Sequence, residues 1–508
     1  MKKSIIAFAI VEASLLATSL LGCSTPNSST PISSSDNSSI SSSIESSSSS
    51  ESSSSSSVPV HEIDPLRELN FRYNSTTDSY WLDGAKSTDI SGNLVIPSTY
   101  NGKPVVGINM RAFQLCKSLK SVVIPSSIKE IESEAFALCE NLESVTLNEG
   151  LTRISYYAFQ RCEKLKSIVI PDTVTFLGDC SFLGCLSLES AKLSKYITAI
   201  GDYMFEGCSK LKSVNIPEGV TRIGEFAFRS CDFNAVTIPN TVKEIAVSAF
   251  NGNKSLKSVT IPESVTTLDS SAFINCSSLE AINVDTNNTM YCSIDGVLFN
   301  KEKTTLMKFP SNWAKAFTFP SSVTTIGDYA FNSCDRLVSY EVPNNITSIG
   351  KNAFSSSKHL ESINIPNSVT SIGMFCFAWD TALKEITIPG SVSTLDQGTF
   401  RDCSVLESVT LEEGITYIGH SPFMWCTSLK SIVIPHSVTN LGLEALYESF
   451  FKNIYYKGTE EEWNNIESLS RPPYIYNVSE TTLSFYSETT PTGTGSYWHY
   501  VNDVPTIW

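Results

Sequence analysis

The sequence predicts a β-rich solenoid, a right-handed superhelix of stacked 23-residue rungs with short helical or 3₁₀ turns, closed by β-rich caps. Three observations carry this. Phe113, Phe136, Phe159, Phe182, Phe205 and Phe228 are 23 residues apart; Phe250 follows after 22 and Phe273 after 23; Phe331, Phe354, Phe377, Phe400 and Phe423 resume the spacing, and Leu446 keeps the register. A fixed period of this length marks a stacked repeat. Within most periods two apolar residues lie two apart and are followed by Pro, so a short strand with one buried face must stop there. Finally, a length of 508 residues suggests about three domains, but a register running from residue 94 to about 450 leaves one elongated domain. It would have about fifteen rungs and a length on the order of 70 Å.

The N-terminal segment, 1–65, reads as an address and a tether. Lys2 and Lys3 precede an apolar stretch broken by Glu12, too short for a membrane span. It ends in Leu20-Leu21-Gly22-Cys23, which resembles the bacterial lipobox. That resemblance implies a lipoprotein signal peptide over 1–22 and a diacylglyceryl group on Cys23, hence a lipid anchor holding the protein on the extracellular face of a bacterial cell membrane. Two acyl chains hold a protein on a bilayer where one would be marginal. Cleavage takes the net charge from −16 to −17. The tether, 23–65, is mostly Ser from Ser24 to Ser57. Such a segment has nothing to bury against the entropy of ordering. As a coil it would reach roughly 30–35 Å, and about 110 Å if pulled straight.

Residues 66–107 form the expected N-terminal cap and first rung. Phe71-Arg72-Tyr73 and Tyr80-Trp81-Leu82 flank a polar turn and suggest a hairpin, and Leu94-Val95-Ile96-Pro97 begins the first rung. An open solenoid end would expose core and strand edge, so a cover is needed.

The solenoid proper spans 108–453. A clean copy is Leu211-x-x-Val214-x-Ile216-Pro217-x-x-Val220-x-x-Ile223-Gly224-x-x-Ala227-Phe228-x-x-Cys231. Val214 and Ile216 share one strand face, Val220 to Ile223 is a second extended stretch, Gly224 marks a turn, and a short helical or 3₁₀ turn drops the Phe228 ring inward. One copy cannot bury its apolar set alone, and stacking closes the core. The Leu-x-x-Val-x-Ile-Pro and Ala-Phe-x-x-Cys elements resemble the leucine-rich repeat solenoids, specifically the 23-residue BspA-like type of bacterial surface proteins. The resemblance covers the whole length of the register. It implies the leucine-rich repeat fold and attachment to host matrix proteins or other cells, hence an extracellular protein or glycan partner.

Two columns recur along the repeat. The residue after each repeat Leu alternates in sign: Lys120, Glu143, Lys166, Glu189, Lys212, then Lys257 and Glu280, then Glu361, Lys384, Glu407 and Lys430. At about 4.8 Å per rung, alternation makes neighbours attractive and a one-rung slip unfavourable. Ten Cys (116, 139, 162, 185, 208, 231, 276, 334, 403 and 426) lie three residues after the repeat aromatic, with Asn253, Ser357 and Asp380 replacing it elsewhere. A disulfide or metal ladder is one reading. The favoured one is a small buried residue with a weak donor for a nearby carbonyl, since a spacing of 23 is no zinc pattern.

The step from Phe273 to Phe331 equals two repeats plus twelve. The insertion at about 285–318 reads as two strands, 293–299 and 304–309, about residues 300–303: a hairpin that serves either as a contact site or as a wedge between two half-arrays. Residues 454–508 form an aromatic-rich C-terminal cap, with Thr459 as the N-cap of a helix reaching toward Ile466. Its Tyr474, Tyr476, Tyr486, Tyr497, Trp498 and Tyr500 form either a platform for sugar rings or a cover for the last rung.

No nucleophile elbow, zinc-binding HExxH or Walker motif occurs, and the five His are scattered, so neither an enzyme nor a cofactor or metal is expected. The acidic balance argues against nucleic acid. A monomer is expected. The expected function is that of a membrane-anchored adhesin or surface binding protein. Its candidate surface is the sheet residue between the paired apolars: Val123, Thr146, Val169, Lys192, Asn215, Thr237, Thr260, Asn364, Thr387, Thr410 and Val433. The alternatives are a structural envelope lipoprotein without a specific ligand, or a solute- or carbohydrate-capturing lipoprotein using the C-terminal aromatics.

Overall fold

All eight apolar positions of the copy beginning at Leu211 are buried: Leu211, Val214, Ile216, Val220, Ile223, Ala227, Phe228 and Cys231. The computed structural model describes residues 64–314, 317–446, 451–468, 481–492, 495–502 and 504–508. Cys23, the serine tract, Tyr474 and Tyr476 lie outside them. The chain divides into Met1–Val58 and Pro59–Trp508, and everything described belongs to the second unit. It is a β-solenoid of about 16 turns, about 23 residues apart, with almost no helix.

Each turn has three sides. On the first, strands such as Leu119–Ile124 and Ser144–Leu147 pair in parallel, Val122 beside Val145 and Val123 beside Thr146. On the second, two-residue strands such as Ala199–Ile200, Arg222–Ile223 and Glu244–Ile245 form a parallel column. Just before it, threonine hydroxyls donate to the preceding rung's carbonyl, Thr221 to Thr198 at 3.2 Å and Thr370 to Thr347 at 3.1 Å.

The third side carries the Phe and takes an unexpected form. Bonds to the third residue back, as in a 3₁₀ turn, are present: Ala112 N to Asn109 O, Gln114 N to Arg111 O and Cys116 N to Phe113 O. The alternate N–H groups, of Arg111, Phe113 and Leu115, donate to Ser133, Ala135 and Ala137 of the next rung at 2.7–3.1 Å. Arg111 and Leu115 are left-handed, φ 62° and 66°, and so are their equivalents Glu134 and Leu138. A left-handed residue breaks a right-handed helix, so this side consists of linked turns cross-bonded between rungs. Inside it the Phe rings stack in parallel, Phe113 on Phe136 at 5.0 Å and on through Phe273 at 5.3–5.7 Å.

Gly224, read above as a turn residue, answers a different need. A Cβ there would stand 2.4 Å from Asp202 Oδ1 and 2.7 Å from Gly201 C, and one at Gly373 would stand 2.6 Å from Lys351 N. Glycine admits the neighbouring rung's backbone. The 22-residue step is absorbed by Phe233, which takes a repeat Leu position one residue early; it is fully buried, its ring 5.2 Å from Phe228 and tilted by 54°.

The insertion holds three strands rather than two. Asp295 and Gly296, both at positive φ, make the tight turn between Tyr291–Ile294 and Val297–Asn300; an Asp-Gly pair is the strongest local signal for such a turn. Thr305–Lys308 then pairs antiparallel with the second strand and parallel with Thr325–Ile326. The hydrophobic core divides at this meander, Leu298 closing one cluster and Val297 and Phe299 opening the next. Phe309 rejoins the aromatic column, its ring 5.0 Å from Phe331.

At the N-terminal end, the antiparallel hairpin of Leu69–Asn74 and Ser79–Ala85 lies beside the parallel partner Lys103–Ile108. At the other end Thr459 caps the helix Glu460–Asn464 through a reciprocal bond with Glu462, and Trp463 is buried against Tyr456.

The column cysteines are buried and free. From Cys139 onward each thiol donates to the carbonyl of the preceding rung's Phe, as from Cys139 to Phe113 at 3.1 Å, Cys208 to Phe182 at 3.3 Å and Cys426 to Phe400 at 3.0 Å. Burial pushes the thiols up, to about 11 at Cys116 and about 12 at Cys276, which makes them inert. Ser357 and Asn253 donate to Phe331 and Phe228 from the same place, at 3.0 and 2.8 Å. Asp380 completes the column. Its Oδ1 accepts from Ser357 N at 2.8 Å, while buried Oδ2 has no partner, and burial holds the carboxyl well above the usual range.

In the charge column, Lys166 Nζ lies 3.5 Å from Glu143 Oε2, and Lys430 Nζ lies 3.5 Å from Glu407 Oε2, all four side chains exposed. Exposed pairs contribute about 0–1 kcal/mol. Glu143→Lys is therefore expected to lower the melting temperature by about 1 °C at low salt. Adding Lys166→Glu should not restore it completely, because Glu189 then faces a like charge; equal melting of all three proteins excludes the ladder. For Asp380 the sign is opposite to that of an ordinary paired carboxylate. Above the unfolded value near 4 the unfolded chain loses the proton and the folded chain keeps it, so stability falls as pH rises toward the folded value. Asp380→Asn, which keeps a donor as Asn253 does, should melt like the parent at pH 4 and about 1–2 °C higher at pH 8, as ~1–2 kcal/mol would produce in a unit of this size. Thermal scans at the two pH values check this.

Candidate binding surface

On the first side, the pleat sends alternate residues inward and outward, and this decides what the surface offers. Thr146, Val169, Lys192, Asn215, Thr237, Thr260, Asn364 and Thr387 are exposed, while Val123 and Thr410 are half-buried. The ladder sets them side by side, Val169 against Lys192 and Thr387 against Thr410. Val433 departs from expectation. It continues the column beside Thr410 but is buried in a cluster with Tyr455 and Trp498, because Tyr455 of the adjacent strand and the Trp498 ring packed on it cover this side chain.

Polar contacts along the face run from rung to rung, as in Asn364 Nδ2 donating to Glu341 Oε2 at 2.9 Å. A shallow groove of about 550 Å³ crosses it beside Asn364, Thr387 and Thr410, with Glu385 and Glu412 on its edges. The face is thus broad, bland and locally acidic.

The C-terminal aromatics form a packed cluster. The Trp498 ring meets Tyr455, Tyr486 and Tyr500 at 5.3, 5.1 and 5.0 Å. It is fully buried, and Nε1 donates to Tyr456 O at 2.9 Å. Tyr500 remains exposed, with the Lys457 ammonium 5.8 Å from its ring. Tyr497 makes no ring contact with this cluster among the described residues. Trp498 therefore serves the cover, and Tyr486 and Tyr500 are its outward part.

Among the described residues no three His, Cys, Asp or Glu side chains converge to hold a metal. His436 Nδ1 lies 2.9 Å from Glu413 Oε2, His420 Nδ1 lies 2.7 Å from Leu443 O, and His499 stacks on Trp508; these are separate local contacts. No helix among the described residues is long and apolar enough to cross a membrane. One group went unnoticed in the sequence: Phe309, Trp313, Phe317 and Phe319 gather beside Phe331 and Tyr340. Its signal was that Ala314-x-x-Phe317-x-Phe319-Pro320 keeps the register of the Leu-x-x-Val-x-Ile-Pro element with Phe at both of the positions usually held by Val and Ile.

A family model described as BspA type leucine rich repeat region, in six copies, matches residues 106–232, 175–305, 308–406 and 347–468. Among solved structures, a leucine rich cell surface protein from Faecalibacterium prausnitzii is 28% identical, with TM-score 0.57, over 80% of this chain and 97% of that one. A leucine-rich repeat protein from Eubacterium ventriosum is 22% identical, with TM-score 0.49, over 87% and 98%. The pneumococcal vaccine antigen PcpA is 21% identical, with TM-score 0.44, over 80% and 96%. No curated protein matches the chain.

Proposed function

The chain belongs to the BspA-type leucine-rich repeat family of bacterial surface proteins, and on that premise we propose that it is a lipid-anchored, monomeric, non-enzymatic binding protein of the cell surface. Cys23 carries the lipid and the serine tract lifts the solenoid from the bilayer. The exposed strand face presents to an extracellular protein or glycan. The observation that carries this reading is the row of mostly small exposed side chains from Thr146 to Thr260, held at rung spacing by the ladders. Such a row suits a wide, weakly featured contact more than an enclosed ligand. The second reading, capture of carbohydrate by the C-terminal aromatics, rests on exposed Tyr500 with Lys457 above its ring.

Cys23→Ser is expected to move the protein from the membrane fraction to the medium, which fractionation and blotting would read. The mature chain is expected to bind at least one host-matrix protein or arrayed glycan. Val169→Arg with Lys192→Glu should weaken that binding by about tenfold or more, the scale of a disturbed interface centre. Loss on Tyr500→Ala alone would favour the aromatic end, and absence of any binding would leave an envelope component without a ligand.

A further inference from the structure

We propose that the outer face of the N-terminal cap, around Trp81, is a binding site for the terminal pyranose of a neutral glycan, separate from the strand face and from the C-terminal aromatics. A single glycine makes the site possible. Gly107 lies abreast of Trp81 on one side and of Glu130 on the other, and Arg153 and Phe176 continue the row. Those three rungs carry long side chains on the outer face, and Gly107 carries none. A Cβ there would meet Cζ3, Cε3 and Cη2 of Trp81 at 2.4, 2.5 and 2.6 Å. Three neighbouring ring atoms at nearly equal distance mean that the indole lies face-on across the glycine, since an edge-on ring would place one atom much nearer than the others. The half-buried indole therefore turns its opposite face outward, and among the described residues no other ring and no cation covers it.

This indole lines a cavity of about 580 Å³, within the range of small-molecule sites. Met110, exposed, adds a second apolar wall, and Arg72, Asn109 and Glu132 bring polar groups to it. Asp83 sets two of them in place. One of its oxygens, Oδ1, accepts from Arg72 Nε at 3.0 Å and from Asn109 Nδ2, and Arg72 Nη2 lies 2.9 Å from it. Among the described residues that leaves Arg72 Nη1, Asn109 Oδ1 and the half-buried Glu132 carboxylate with no side-chain or backbone partner.

The unused chemistry matches a sugar. A pyranose has an apolar face of C–H groups and a rim of hydroxyls that both donate and accept. The indole face takes the C–H groups. A donor-only guanidinium, an acceptor-only carboxylate and an amide oxygen take the rim. A flat aromatic ligand would use the indole but set an apolar edge against all three polar groups, leaving them desolvated and unpaired. An anionic sugar would meet the Glu132 charge, while the one cation at the site is already paired with Asp83. Exposed Arg72 and Met110 leave the rim open, so a sugar can enter as the end of a longer chain.

The test is calorimetric titration of the full mature chain with lactose, cellobiose and N,N′-diacetylchitobiose, and with N-acetylneuraminate as the anionic control. At least one disaccharide should bind saturably at one site, with the control at least fivefold weaker. Glu132→Gln, which breaks no contact within the protein, should weaken that disaccharide about fivefold or more. Trp81→Ala should abolish binding, and Trp81→Phe, which keeps a ring, should lose less; thermal scans check that each variant melts like the parent. No saturable binding, equal binding of the control, or indifference to both Glu132→Gln and Trp81→Ala would overturn the proposal. So would loss of binding on Tyr500→Ala or on Val169→Arg with Lys192→Glu, which would place the sugar elsewhere. Those last two variants carry the tests of the surface-binding readings, so failure here is distinct from failure there.

Discussion

The structure depends on backbone hydrogen bonds that run from each rung to the next on all three sides. Two sides use ordinary parallel ladders. The third reaches the same end by turning every second N–H outward along the solenoid, as at Arg111, Phe113 and Leu115. A ladder at rung spacing tolerates little change in rung length, which explains the constant register. Where one residue is missing, between Cys231 and Phe233, a larger ring fills the space. The close spacing also places glycine wherever one backbone must pass another, as at Gly224 and Gly373.

From that constraint follow the columns. A side chain at a given rung position meets the same position above and below, so a chemical solution found once is reused. Thiols donate to Phe carbonyls, threonines to the carbonyl before them, rings stack on rings. A column also shows which property is needed. Cys, Ser and Asn share a donor and a small volume, so the requirement is donation to the Phe carbonyl rather than sulfur chemistry. Asp380 departs from it, accepting from Ser357 N instead of donating to a Phe carbonyl.

Much of this was legible because the signals were local and repeated. The Phe register, the strand-ending prolines and the Thr459 cap each follow from a few adjacent residues. The left-handed positions are marked by Gly184, Gly207, Gly252 and Asn275 in some rungs but hidden where Arg111, Leu115, Tyr157 and Trp379 occupy them. No intrinsic preference marks such residues, and bonds to the neighbouring rung impose the conformation. The burial of Val433 was equally hidden, since it comes from Trp498, far along the chain. The three-strand meander was readable in Asp295-Gly296, but the pair sits inside an apolar run that resembles one continuous strand. The face residues were locatable by alternation alone. Their partner was not, because small polar side chains on a flat sheet carry little chemical information.

Repetition and specificity pull in opposite directions here. A column of equivalent residues stabilises the stack because every rung is alike, and for the same reason it distinguishes no place along the surface. Distinct chemistry can arise only where the period fails. The largest failure is the insertion, where a three-strand meander enters the stack and the core divides. There the aromatic column continues through Phe309, and Phe317 and Phe319 stand at the apolar positions that Val and Ile hold in other rungs. The regular rungs hold this break rigid from both sides: Ser333 Oγ donates to Asn275 Oδ1 across it at 2.7 Å, and Asn312 N donates to Leu279 O at 2.8 Å. The period therefore breaks in sequence while hydrogen bonds carry the stack across the break, and the monotonous face on either side suits only broad contact.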